Sequence, residues 1–317
     1  MDTENRTTAI KNRNYFWLLN HEDNMRHPST AVLILVLMMP LAGCGGIFGS
    51  ATQETPTFAP GVTSERVTNA STLSAANRAI LQNTSYTYVR NYTQRVDTEG
   101  YHYAVDHDTR VWVAADGSFL YHHRGVVTGG EHPSEYVDGV WTNGSIAVMR
   151  TVNVSNESVT YTRYRPPEPY PAANATHNDI SGALGDALVT TTWNESDTAY
   201  VHVRATRSES RRWQAANGTT VNLTTRRTAT ATIREDGFVP SLNTSVSGDR
   251  PLPVAANDSV TSNGRPIAHF RDQASIRYRA LGSTDVPRPN WVDGALAATD
   301  GLSFGQTTTP RARNASV

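Results

Sequence analysis

One cysteine, Cys44, stands in 317 residues. No disulfide can close within the chain, so a packed core has to hold the fold. Lysine is almost missing as well: apart from Lys11, every basic residue is an arginine. Net charge is missing too, with 28 basic residues against 29 acidic ones. The 43 residues before Cys44 hold four of each sign, so their removal leaves the balance intact. That balance argues against a nucleic-acid partner, which needs a basic face to neutralise phosphates. No apolar run reaches the ~20 residues of a permanent membrane-spanning helix. No H-E-x-x-H, phosphate loop or G-x-G-x-x-G is present, and no cofactor is expected.

The apolar run that does occur is Ala31 to Met39, nine uncharged residues flanked by Arg26 and His27. This fits the apolar region of an export signal. Polar residues 1–24 precede an otherwise complete signal that opens at Met25, so translation is expected to start at Met25. Residues 25–43 are then the signal peptide. The sequence Leu41-Ala42-Gly43-Cys44 resembles the lipobox of bacterial and archaeal lipoproteins. The resemblance implies cleavage between Gly43 and Cys44 and a lipid on the Cys44 thiol. That lipid would hold the chain to the outer face of the cell membrane. Residues 44–62, rich in Gly, Ser, Thr and Pro, read as a flexible tether.

Asn-x-Ser/Thr occurs 14 times among 22 asparagines. With 64 Ser and Thr residues in 317, chance gives about four or five. Besides Asn5 and Asn314, the acceptors are Asn69, Asn83, Asn91, Asn143, Asn153, Asn156, Asn174, Asn194, Asn217, Asn222, Asn243 and Asn257. The excess suits N-glycosylation of a protein displayed outside the cell. The same tripeptides also make good turns.

Residues 63–298 read as one α+β domain. Arg66 to Gln82 has the spacing of a helix, with Asn69 or Ser71 as its cap. The period then changes to two. Tyr86, Tyr88 and Tyr92 share one strand face, and Tyr101, Tyr103, Val105, His107, Val111 and Val113 share another. Asp116-Gly117, Asn143-Gly144 and Asp236-Gly237 mark turns. A helix is expected from Asn178 to Leu188 and a short one from Asn290 to Ala298. Between them strands are expected at Ala199 to Ala205, Val221 to Ile233, Phe238 to Val246 and Ile267 to Leu281. Residues 299–317 read as a disordered tail. This order favours α+β with a large, curved antiparallel β-sheet.

Cys44 with its tether, the helix ending Leu81-Gln82, and Asn83-Thr84-Ser85-Tyr86-Thr87 resemble haloarchaeal surface lipoproteins of unknown function. A helix leading into a long antiparallel meander is also similar, at the level of fold, to the half-barrel of LolA- and LprG-like lipoproteins. That second resemblance implies a sheet that cups acyl chains against a helix, and it brings no catalytic residues.

Two clusters are candidate sites. Tyr86, Tyr88, Tyr92, Tyr101 and Tyr103 could line an apolar groove with polar tips, or form an ordinary core of cross-strand pairs. His102, His107, His122, His123 and His132 crowd one stretch. Strand alternation puts His102 opposite in sense to His107, and His122 opposite to His123. One histidine from each strand could therefore meet, with Asp106 or Asp108 nearby, in a set suited to zinc or copper. Solvent-facing histidines are the alternative. The arginines from Arg207 to Arg212 and at Arg226-Arg227 read as solvated strand edges or an anion site. The first functional reading is a non-catalytic binding or carrier lipoprotein for an apolar ligand. A structural or interaction module of the envelope comes second, and a metal-dependent enzyme third.

Overall fold

In a computed structural model, the described residues are 57–98, 101–130, 133–165, 172–214, 220–251 and 267–309. The signal peptide, Cys44, most of the tether, His132, Asn217 and Asn257 lie outside them. Among the described residues no helix is long and apolar enough to cross a membrane.

The described residues form an α+β architecture, with one large open antiparallel sheet of twelve strands and three helices. A small hairpin, β1 (Thr57–Ala59) and β2 (Val62–Thr63), leads into α1 (Ala70–Gln82). Then follow β3 (Tyr86–Thr98), β4 (Tyr101–Val113), β5 (Phe119–Gly129), β6 (Ser134–Thr142), β7 (Ala147–Asn153) and β8 (Ser158–Tyr164). Helix α2 (Ala172–Ala183) precedes β9 (Leu188–Glu195), β10 (Thr198–Gln214), β11 (Thr220–Arg234), β12 (Ser241–Pro251) and β13 (Ile267–Arg279). Helix α3 (Trp291–Ala298) and β14 (Thr307–Thr308) close the described chain. The strand order is β14-β8-β7-β6-β5-β4-β3-β13-β12-β11-β10-β9. Two meanders thus meet where β13 pairs with β3.

The turns fall where glycine frees the backbone. Gly117, Gly144 and Gly237 all adopt positive φ, between +84° and +91°. At the β6–β7 hairpin the Asn143 side chain also accepts from the Ser145 and Ile146 N–H groups.

Several boundaries differ from the sequence expectation. Helix α1 starts at Ala70, not Arg66, because Val67 is fully buried in a bridge to Val62. Asn69 caps it by accepting from the Thr72 N–H at 3.0 Å. Helix α2 ends at Ala183, and Leu188 already belongs to β9. That strand is Thr-rich and largely exposed, so it carries no apolar alternation to read. The fold also reaches beyond residues 63–298. Ala59 and Val62 are core residues, and β14 pairs with β8 inside the expected tail.

The two sheet faces have different covers. The inner face packs against α1 and α2. There Leu73, Leu81, Ile180 and Leu184 meet Tyr86, Tyr88, Val111, Val113, Phe119, Ile233, Leu242 and Ile276 in one buried cluster. Asn77, itself fully buried, ties α1 to the β11–β12 turn by accepting from the Val239 N–H at 2.9 Å. On the outer face, Trp291, Val292, Ala295 and Leu296 of α3 cover Leu120, Trp141 and Val148. Gly139 makes that contact close: a Cβ there would stand 3.0 Å from the Trp291 ring.

Candidate functional site on the inner face

In an antiparallel sheet, directly opposed residues point to the same face. The register therefore lays the inner face out in rows. The row beside the helices is Tyr278, Tyr88, Val111, Tyr121, Val140 and Met149. The next is Ile276, Arg90, Thr109, His123, Asp138 and Thr151. Then come Ala274, Tyr92, His107, Gly125, Tyr136 and Asn153. Beyond them stand Asp272, Gln94, Val105 and Val127, and then Phe270, Val96, Tyr103 and Gly129. The face is apolar under the helices, polar and aromatic across its middle, and apolar again around Val96, Ala268 and Phe270.

The tyrosine group divides along these rows. Tyr86 and Tyr88 are only 2% and 4% exposed and pack on Tyr278, with ring centroids 5.6 and 5.4 Å from it. Burial raises the Tyr88 hydroxyl to about 12 and drives those of Tyr86 and Tyr278 higher still. These rings fill the core under α1 and α2. The Tyr278 hydroxyl, moreover, shares a 2.5 Å hydrogen bond with Thr176 of α2. Tyr92 and Tyr103 are half-buried further along the same face. Tyr101 opposes Thr98 at the end of the β3–β4 ladder.

The histidines divide by face. His107 and His123 meet on the inner side, ring centroids 5.0 Å apart and edge to face. His102 and His122 lie on the outer side, where His102 Nδ1 pairs with Asp97 at 2.8 Å. Asp106 is on the outer side too, held by Arg95 at 2.8 Å. Asp108 shares that side, opposite Asn91. Among the described residues no group of three or more His, Cys, Asp or Glu is arranged to hold a metal. Of the inner-face carboxylates, Asp138 stands directly opposite His123 on β6, and Asp272 lies further along β13 beside Gln94. Sequence reasoning missed Asp138 because nothing local marks it. The only signal was its place on the inner alternation of β6.

Gly125 organises the middle rows. It stands between His107 and Tyr136 in register, and a Cβ there would lie 2.2 Å from Tyr136 Cζ. Without that Cβ, the Tyr136 ring lies across β5 and reaches His107 Nε2 at 3.4 Å. His123 stacks on Tyr121, its Nδ1 shares a 2.8 Å hydrogen bond with Thr109, and its imidazole is pushed down to about 4 by burial, with smaller contributions from His107, His122 and Arg90. Burial lowers His107 as well, and raises the carboxyls of Asp138 and Asp179 (on α2). Desolvation disfavours every charged form here. Both imidazoles are thus held neutral, and both acids are pushed toward the protonated form.

Elsewhere, Gly301-Leu302-Ser303-Phe304-Gly305 spells the nucleophile-elbow pattern. That chemistry needs a strand-to-helix turn. Here the segment runs from α3 into β14, and Ser303 is exposed with its N–H bonded to Gln306. The match is incidental.

Nine of the asparagines in Asn-x-Ser/Thr have a described burial. Asn69, Asn83, Asn91, Asn143, Asn156, Asn194, Asn222 and Asn243 are exposed, and Asn153 is half-buried. Asn91 and Asn243 flank Ser275 on the outer face.

No protein family matches this chain, and no curated protein matches it. Among solved structures it is similar to LprF from Mycobacterium bovis, at 12% identity, covering 70% of this chain and 96% of that one with a TM-score of 0.31. It is also similar to a DUF1329 family protein from Desulfovibrio piger, at 8% identity, covering 70% and 94% with a TM-score of 0.18. A LolA superfamily protein from Nitrosomonas europaea is similar at 10% identity, covering 69% of this chain and 95% of that chain with a TM-score of 0.17.

Proposed function

We propose that this chain is an extracytoplasmic lipoprotein, anchored through a lipid on Cys44, that binds or carries an apolar or lipid ligand on the inner face of its sheet without catalysis. The observation that carries the reading is the layout of that face. Past the polar row of Arg90, Thr109, His123 and Asp138, half-buried Tyr92, Tyr103, Tyr136, Val127 and Val246 give a second, aromatic and apolar surface along the strands. Aromatic rings with polar tips suit a ligand with both apolar and polar parts. The lipobox-like Leu41-Ala42-Gly43-Cys44 supports the anchor, and exposed glycan acceptors fit display outside the cell. The domain of this reading is residues 63–298 with the hairpin before it and β14 after it.

A second reading, an interaction module of the envelope, draws on the filled packing of Tyr86, Tyr88 and Tyr278 beneath α1 and α2. Native mass spectrometry of detergent-extracted protein separates the two. A co-purified lipid and a lipid mass on Cys44 are expected. Protein that emerges lipidated but repeatedly empty, and that takes up no added lipid, would leave only the interaction module.

A further inference from the structure

Arg90 stands in the second inner row, between Ile276 and Thr109. Among the described residues it makes no ion pair and no hydrogen bond, and its Nε is sealed from solvent without a partner. Its one close neighbour of note is the Tyr92 ring, 5.9 Å from Cζ to centroid. Some arginines have acids, such as Arg95 with Asp106, Arg124 with Glu135 and Arg234 with Asp236, while Arg150 and Arg163, on the outer face, share the unpartnered buried Nε. Arg250, on the same face, also has an unpartnered Nε, but it lies against the Phe270 ring at the far end. Arg90 as a whole is half-buried, its guanidinium cannot shed its charge, and the sealed Nε–H is a donor left without a partner, which is costly.

Among the described residues no acid forms an ion pair with Arg90: Asp179, which feels its charge, lies beyond ion-pair distance. Electrostatically it is felt by Tyr88, Tyr92, Tyr121, His107, His123 and Asp179. The tyrosines are raised and stay neutral, the imidazoles are lowered and stay neutral, and burial pushes the Asp179 carboxyl up. Further along the strands, Val105 and Val127, beside the hydrogen-bonded pair Gln94 and Asp272, lead to Tyr103, Val96 and Phe270. From Arg90 to Val96 is six residues of strand, about 20 Å. A long acyl chain is of that order.

We infer that the ligand is an anionic amphiphile, whose carboxylate or phosphate head docks on the Arg90 guanidinium while its tail runs along the strands toward the Tyr103–Phe270 patch. This rests on the carrier reading above and adds the head group to it.

The test uses the full chain held in an amphipol. It is offered an equimolar mixture of palmitic acid and methyl palmitate, which differ only in the charge of the head, and the complexes are counted by native mass spectrometry. In the wild type the acid complex should exceed the ester complex by about tenfold, the order of one charge-assisted hydrogen-bonded pair. In Arg90→Gln the ratio should fall to about one, with a cooperative urea transition showing that the variant is folded. Arg90→Lys should keep part of the preference. Equal acid and ester complexes in the wild type, or a preference that survives Arg90→Gln, overturn the inference while leaving the carrier reading standing. Neither complex forming overturns both. In a separate arm inorganic phosphate is offered alone and in competition. Phosphate that binds by itself and expels the acid but not the ester would assign Arg90 to a free anion and overturn the lipid head.

Discussion

Replacing Gly125 by alanine adds one methyl group at the centre of the inner face. The new Cβ would stand 2.2 Å from Tyr136 Cζ, 2.4 Å from its hydroxyl oxygen and 2.7 Å from Cε1. Real Cβ atoms do not approach so closely, so the ring must leave its place across β5. It would then lose the 3.4 Å contact with His107 Nε2 and its packing on His107 and His123, at centroid distances of 6.3 and 5.7 Å. Overpacking of this kind costs about 1–3 kcal/mol. Gly125 is not in the left-handed region, so alanine also brings a gain of roughly 0.5–1 kcal/mol from a stiffer unfolded chain. The net expectation is a loss of about 1–2 kcal/mol. The assay is urea denaturation of Gly125→Ala in the wild-type and Tyr136→Ala backgrounds. With Tyr136 truncated the obstacle is gone, and Gly125→Ala should become neutral or stabilising. An equal loss in both backgrounds would refute the idea that Gly125 exists to let the Tyr136 ring lie over it.

Stability should fall as pH drops from about 6.5 toward 4, because the folded His123 imidazole titrates near 4 while the unfolded one takes up its proton near 6.5. The full effect is on the order of 3 kcal/mol, partly offset by Asp138, whose raised carboxyl works in the opposite direction. His123→Gln should flatten this slope in denaturation curves measured from pH 7 to 4. An unchanged slope would show that His123 is not the group responsible. Asn77→Ala removes the acceptor of the buried Val239 N–H and should cost about 1–3 kcal/mol in the same assay, with Asn77→Ser recovering little. Finally, Cys44→Ser should leave the chain unshortened and free of lipid, read by intact mass. Unchanged size and unchanged membrane retention in that variant would remove the anchor from the proposal.

Local patterning made much of the fold legible. Period-two alternation through Tyr86, Tyr88 and Tyr92, and through Tyr103, Val105 and His107, identified β3 and β4 and put these side chains on one face. Asp116-Gly117, Asn143-Gly144 and Asp236-Gly237 located the turns because only a backbone free to take positive φ fits there. The same alternation separated His107 from His102, and His123 from His122, and the register then brought His107 and His123 together. Where the pattern is weak, the reading slipped: β9 is an exposed, Thr-rich strand, and α2 lies several residues earlier than its apolar spacing suggested.

What the sequence determined by itself is the class of the protein: one cysteine, balanced charge, an α+β order and the alternation that assigns each strand residue to a face. Those properties depend on neighbours in the chain. The tertiary structure alone decided which rows stand beside α1 and α2, so that Tyr86 and Tyr88 became core while Tyr92 and Tyr103 stayed half-buried. It also set Asp138 opposite His123 and left Arg90 outside any ion pair among the described residues. Pairing between strands far apart in sequence fixes those neighbours, and burial, which shifts His107, His123 and Asp138 on the inner face, belongs to the assembled sheet and not to any segment of it.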